Sequence, residues 1–125
     1  VLGFLNTDND FTPFCTESNV TTAMVIGCFD LFSETITQKT VVIIDNASIH
    51  ASQAFQERIP LWEKKGVFLQ FLPGYSPELN LIEILWRFIK YRWLPLSAYL
   101  NFDALVKAVE EILMNVGSKY KIAFQ

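Results

Sequence analysis

Two acids in this chain stand where an acid needs a physical reason. Glu83 lies within Leu81-Ile82-Glu83-Ile84-Leu85-Trp86-Arg87-Phe88-Ile89, surrounded almost entirely by apolar side chains, and desolvating an unpaired carboxylate is costly. It therefore needs a cation, which is either a bound divalent metal or Arg87, one helical turn on at i+4. Asp45 closes the β-branched run Thr40-Val41-Val42-Ile43-Ile44. Such a run reads as a strand in the buried middle of a parallel sheet, with the acid at its carboxyl end, the edge at which ligands collect in open α/β sheets. His50, the one histidine, acts as a ligand or base only if it points back at Asp45, and a lone histidine is more often a structural hydrogen-bonder.

The elements around these residues are the ones that must bring them together. Ser52 to Lys65 reads as a crossover helix, kinked or split at Pro60, where a backbone donor is lost. Lys64, Lys65 and Gly66 end it, and Val67 to Leu72 supplies the next strand, parallel to Thr40–Ile44 and joined right-handedly. Pro73-Gly74 and Ser76-Pro77 make a turn, and from Asn80 a helix without breakers carries Glu83 to Lys90. This βαβ unit lays the proline-rich loop alongside Asp45 and allows Glu83 to come within metal-sharing distance of it.

Asp45-Asn46 with His50, followed by Leu72-Pro73, Tyr75-Ser76-Pro77, Leu79-Asn80, Ile82-Glu83, Trp86 and Lys90, resembles the second half of the catalytic domain of the Tc/mariner superfamily of DDE transposases, above all its bacterial insertion-sequence branch. The match is strong over Val41 to Leu94 and looser elsewhere. The resemblance implies an α/β, RNase H-like mixed sheet with flanking helices, here lacking its first two strands. Residues 1–39 would hold a third-strand region and helix, 40–94 the motif-bearing core, and 95–125 a terminal helix and tail. Asp45 and Glu83 correspond to the second and third acids that hold two Mg2+ or Mn2+ ions, with Asn46, His50 and Asn80 adjacent to the site. Water would be the nucleophile for DNA cleavage and a DNA 3′-hydroxyl the nucleophile for strand transfer. Arg87 and Lys90 would meet DNA phosphates. Leu81 stands where the family usually has proline, and the spacing from Asp45 to Glu83 is slightly longer than is common. The family's first catalytic aspartate has no counterpart in this chain. These 125 residues are accordingly expected to be the carboxyl-terminal part of a catalytic domain and inactive alone, with an unpaired Thr40–Asp45 edge that favours a homodimer. Two other functions stay open: a non-catalytic oligomerisation module, and an unrelated metal-dependent phosphoesterase using the same acids.

The remaining features set bounds. A net charge of −3 argues against a stand-alone nucleic-acid binder, whose footprint is normally basic. No apolar run suits a membrane span or an export signal, so the chain reads as cytoplasmic, and the resemblance implies that it acts at the nucleoid. Cys15 and Cys28 lack metal-type spacing. Asp8 and Asp10 fall in Asn6-Thr7-Asp8-Asn9-Asp10, whose composition is that of a turn rather than a calcium loop. Asn19 is placed as the N-cap of a helix running to Glu34, with Asp30 on its solvated face. Asn101 caps an amphipathic helix whose apolar stripe includes Leu105, Val109, Ile112 and Val116, Gly117 ends it, and Tyr120, Ile122 and Phe124 alternate as an edge strand would.

Overall fold

Strand-forming and helix-forming runs alternate along the chain, and the computed structural model describes them over residues 1–16, 18–45, 47–72 and 80–124. The elements are β1 (Leu2–Leu5), β2 (Phe11–Phe14), α1 (Thr22–Glu34), β3 (Thr40–Ile44), α2 (Gln53–Lys64), β4 (Val67–Phe71), α3 (Leu81–Phe88), a π-helical turn (Ile89–Trp93), a 3-10 turn (Leu96–Tyr99) and α4 (Phe102–Met114). They gather into two units. One holds Thr16–Asn80; the other joins Gly3–Cys15 to the residues from Leu81 onward. The fold is mixed α/β with two small sheets among the described residues, β1 with β2 and β3 with β4.

In the Thr16–Asn80 unit the expected βαβ element forms. β3 and β4 pair in parallel with Thr40 opposite Val67 and Ile44 opposite Phe71, and α2 is the crossover. Ser52 caps α2 by accepting from the Phe55 amide at 3.3 Å. Pro60 sits inside an unbroken α2, so the expected split does not occur. Pro60 and Gln56, the residue whose carbonyl loses its partner, are both exposed, and water can satisfy that carbonyl. α1 starts later than the sequence suggested: Thr21, not Asn19, is the N-cap, in extended conformation with its hydroxyl accepting from the Met24 amide. Phe29, Phe55 and Trp62 form the aromatic centre of the unit, with ring centroids 4.7–5.5 Å apart. The strand β3 is not buried on both faces as its composition suggested. Val42 and Ile44 turn inward, whereas Val41 and Ile43 are 59% and 52% exposed, and among the described residues β3 pairs with β4 alone.

Asp30, expected on a solvated face, instead ties α1 to α2. Its Oδ1 accepts from Arg58 Nη2 and from Trp62 Nε1, both at 2.7 Å. Partial burial opposes the charge of this carboxyl, but the two hydrogen bonds and the Arg58 guanidinium outweigh it and hold the pKa below its ordinary value. A depressed carboxyl contributes stability above its unfolded pKa, near 4, that is lost as pH falls through the folded value. Asp30→Asn is therefore expected to cost about 1–2 kcal/mol at neutral pH, and the deficit shrinks as pH falls below about 4. Urea unfolding at the two pH values checks this; a deficit that stays constant would mean that the charge contributes nothing.

In the second unit, the connection between β1 and β2 is too short for a parallel crossover, so the pair is a hairpin. Its turn is built as the composition suggested: Asn6 Oδ1 accepts from the Asp8 and Asp10 amides, and Asn6 Nδ2 donates to the Asp10 carboxylate. Asn9 adopts φ 64° and is buried. Its side chain brackets Ile122, donating to the Ile122 carbonyl at 2.9 Å and accepting from the Ile122 amide at 2.8 Å. The tail is thereby docked through a side chain rather than as the expected edge strand, and Val116 and Tyr120 make one isolated bridge. Gly117, at φ 94°, passes so close that a β-carbon there would lie 2.7 Å from the Asn9 carbonyl oxygen. Asn101 caps α4 as expected, accepting from the Ala104 amide at 2.8 Å. The core of this unit is Leu85, Ile89, Ile112, Leu113 and Ile122, and Phe11 of β2 meets Trp86 of α3 edge to face.

Candidate functional site

Asp45 follows directly on β3, and the backbone after it turns tightly. The His50, Ala51 and Ser52 amides bond the carbonyls of Ala47, Ser48 and Ile49 in succession, which carries the chain from the strand end into α2. This winding swings the His50 ring back over the strand end. His50 Nδ1 lies 2.9 Å from the Asp45 carbonyl oxygen and 3.0 Å from Asp45 Oδ1. Both neighbours are acceptors, so Nδ1 carries the proton and donates. The imidazole is held from behind by Phe55, 5.2 Å away between centroids, and the His50 carbonyl accepts from Gln56 Nε2 at 2.7 Å. The ring is 17% exposed while the Asp45 side chain is 53% exposed. The result is a carboxylate oriented by a half-buried donor and still open to solvent.

β4 ends beside this acid. The Leu72 amide donates to the Ile44 carbonyl at 2.8 Å, so the chain leaves the sheet one residue from Asp45. Asn46 and the turn residues Pro73, Gly74, Tyr75, Ser76, Pro77 and Leu79 lie outside the described residues. Asn80 is half-buried immediately before α3.

Glu83 occupies the first turn of α3, where the amino end of the helix favours a carboxylate. It is half-buried, and among the described residues it has no ion-pair partner: the alternative partner, Arg87, is exposed and not bonded to it. The α-helix gives way to the π-helical turn at Ile89, closed by the Leu94 amide on the Ile89 carbonyl at 3.0 Å. Lys90 therefore belongs to the π turn, and its seven-residue relation to Glu83 is not that of a continuous α-helix. Asp45 and Glu83 belong to different units.

Asp45 suits a hard divalent cation in kind: it offers carboxylate oxygen to water, and a histidine fixes its direction, as outer partners do for metal ligands. Glu83 offers a second carboxylate that has no competing cation among the described residues. Among the described residues no group of three or more His, Cys, Asp and Glu side chains gathers as a metal cluster. Cys28 is buried, which pushes its thiol pKa up and away from the thiolate a metal would need.

The sequence reading singles out Arg87 and Lys90 but not the residues grouped with Arg87 here. Arg87, Phe88, Tyr91 and Arg92, with Ile84, line an open groove of about 250 Å3. The alternation of basic and aromatic residues in Arg87-Phe88-Ile89-Lys90-Tyr91-Arg92-Trp93 was the available signal.

Residues 1–106 match the family model described as DDE superfamily endonuclease. The uncharacterized protein y4pE/y4sA of Sinorhizobium fredii is 33% identical over 66 residues, which cover 53% of this chain and 44% of that protein. The matched region thus spans less than half the length of this relative. No solved structure matches the chain.

Proposed function

The chain belongs to the DDE superfamily endonuclease family, and from that premise we propose that it is part of the catalytic domain of a Tc/mariner-type transposase of the bacterial insertion-sequence branch. The fold is then a portion of an RNase H-like sheet, and the activity is metal-dependent DNA cleavage and strand transfer in the bacterial cytoplasm. The observation that carries this reading is the Asp45 carboxylate at the carboxyl end of β3, oriented by His50 and open to solvent.

Asp45 and Glu83 would hold Mg2+ or Mn2+, which when bound supplies an activated oxygen nucleophile on one side of phosphorus and a stabilised leaving oxygen on the other. The chain's own residues do the positioning. His50 donates to both the backbone and the side chain of Asp45 and so limits the directions the carboxylate can take. Glu83 is steadied by the amino end of α3, and Arg87 and Lys90 approach DNA phosphates as unpaired cations. The two acids belong to a larger centre completed by the family's first aspartate. Among the described residues β3 pairs with β4 alone, and a free edge on its other side supports pairing with further strands, including those of a second copy in a homodimer.

Titrating the 125-residue chain with Mn2+, read from the free-ion EPR signal, tests the convergence of the acids. Weak binding is expected, lowered about tenfold or more by Asp45→Asn, by Glu83→Gln and by His50→Ala. If Glu83→Gln binds Mn2+ as the unaltered chain does, Glu83 is a helix-end acid and the shared site is lost.

A further inference from the structure

The groove on the outer face of α3 and its π turn is built from a different chemistry than the acids. From Ile84 to Trp93 the chain has Arg87, Lys90 and Arg92 and no acid, although its net charge is −3 and it has 10 basic residues in all. Three cations elsewhere among the described residues do pair with carboxylates: Arg58 with Asp30, Lys65 with Glu34 and Lys119 with Glu111. Among the described residues Arg87, Lys90 and Arg92 pair with none; two of them lie on aromatic rings instead. Lys90 Nζ is 5.2 Å from the Tyr91 ring centroid and Arg92 Cζ 5.0 Å from that of Phe88.

Tyr91 is 72% exposed. A large ring left in water beside unneutralised cations is poor packing and a good platform: the cations suit a phosphate backbone, and the ring offers a flat face on which any base can stack. Cations alone would serve duplex and single strand alike, because phosphates carry no strand information. The exposed ring breaks that symmetry, since in duplex DNA the base faces are already stacked on one another. The ring stands in a π-helical turn, a distortion that recurs at functional sites.

We propose that the Arg87–Arg92 face binds an unpaired stretch of DNA, with Tyr91 stacking on a base and Arg87, Lys90 and Arg92 on the phosphates that flank it. This rests on the DNA-processing function proposed above and adds to it the form of the strand that the protein engages.

Fluorescence anisotropy of the full 125-residue chain with a fluorescein-labelled single-stranded oligodeoxynucleotide, and with the duplex of the same sequence, tests it. The single strand is expected to bind more tightly, with a slope of log affinity against log salt near −2 for three phosphate contacts. Tyr91→Ala should weaken single-strand binding about tenfold and duplex binding less than about twofold, and Tyr91→Phe should retain both. Lys90→Ala should weaken both forms together. A 2-aminopurine placed in the strand should be quenched on binding to the unaltered chain and to Tyr91→Phe, but not to Tyr91→Ala. The exposure of Tyr91 makes misfolding an unsuitable explanation for any loss, and circular dichroism of the variant confirms the fold. Binding of duplex and single strand alike, with Tyr91→Ala without effect, would overturn the stacking site and leave the DNA-processing function standing. Binding of neither would overturn the Arg87–Arg92 face as a DNA site, while the DNA-processing function is judged separately by the Asp45 and Glu83 variants.

Discussion

Asp45→Asn or Glu83→Gln, introduced into the complete protein, should lower DNA strand cleavage by about a thousandfold or more, equivalent to about 4 kcal/mol of transition-state stabilisation. Both substitutions are nearly isosteric. In Asp45→Asn the new amide keeps a carbonyl oxygen to accept from His50, so the turn into α2 survives while the charge that a divalent cation needs is gone. The same holds for Glu83→Gln, whose amide still suits the amino end of α3. On the proposed function the two acids act as one centre, so the double variant should be scarcely worse than either single one. Gel assays of nicking with Mg2+ and Mn2+ provide the rates, and DNA binding measured in the same variants should persist. Cleavage within a few-fold of the unaltered protein in either variant would remove that acid from the centre.

The largest expected effect on stability comes from a turn residue. Asn9→Ala removes both hydrogen bonds that bracket Ile122 and leaves its amide and carbonyl without partners in a buried place, at about 1–3 kcal/mol each. Alanine at φ 64° adds about 1 kcal/mol more. The combined loss of about 3–7 kcal/mol is a large part of the stability of a small protein. Asn9→Gly separates the causes, since it relieves the backbone but not the lost bonds and should recover about 1 kcal/mol. Urea unfolding gives the magnitudes, and amide exchange at Ile122 should accelerate in both variants. A loss below about 0.5 kcal/mol in Asn9→Ala would mean that burial of Ile122 alone holds the tail.

What the sequence made legible is what is local. The β-branched run before Asp45, the Asn101 cap and the glycine at 66 each act on residues a few positions away, and β3, α2, β4 and α4 form where the sequence suggested. The condition set for His50, that it point back at Asp45, was also local, and the turn through Ala47 to Ser52 meets it. What stayed hidden depends on distant partners. Nothing near Asp30 announces Arg58 and Trp62, 28 and 32 residues away, and nothing near Asn9 announces Ile122, 113 residues away. The burial of β3 was hidden for the same reason, since a strand's composition does not say how many layers the surrounding chain supplies. The π turn begins at Ile89 without a breaker, so the grouping of Arg87, Phe88, Tyr91 and Arg92 could be found only as alternating basic and aromatic residues.

The indole that donates to Asp30 also divides the chain optically. Trp62 is 1% exposed and is the single tryptophan between Thr16 and Asn80, while Trp86 and Trp93 belong to the other unit. Replacing Trp86 and Trp93 with phenylalanine leaves a fluorophore shielded from water, whose emission shifts to the red when α1 parts from α2. The unit that carries Asp45 can then be followed by itself through intrinsic emission, without an attached dye near the carboxylate.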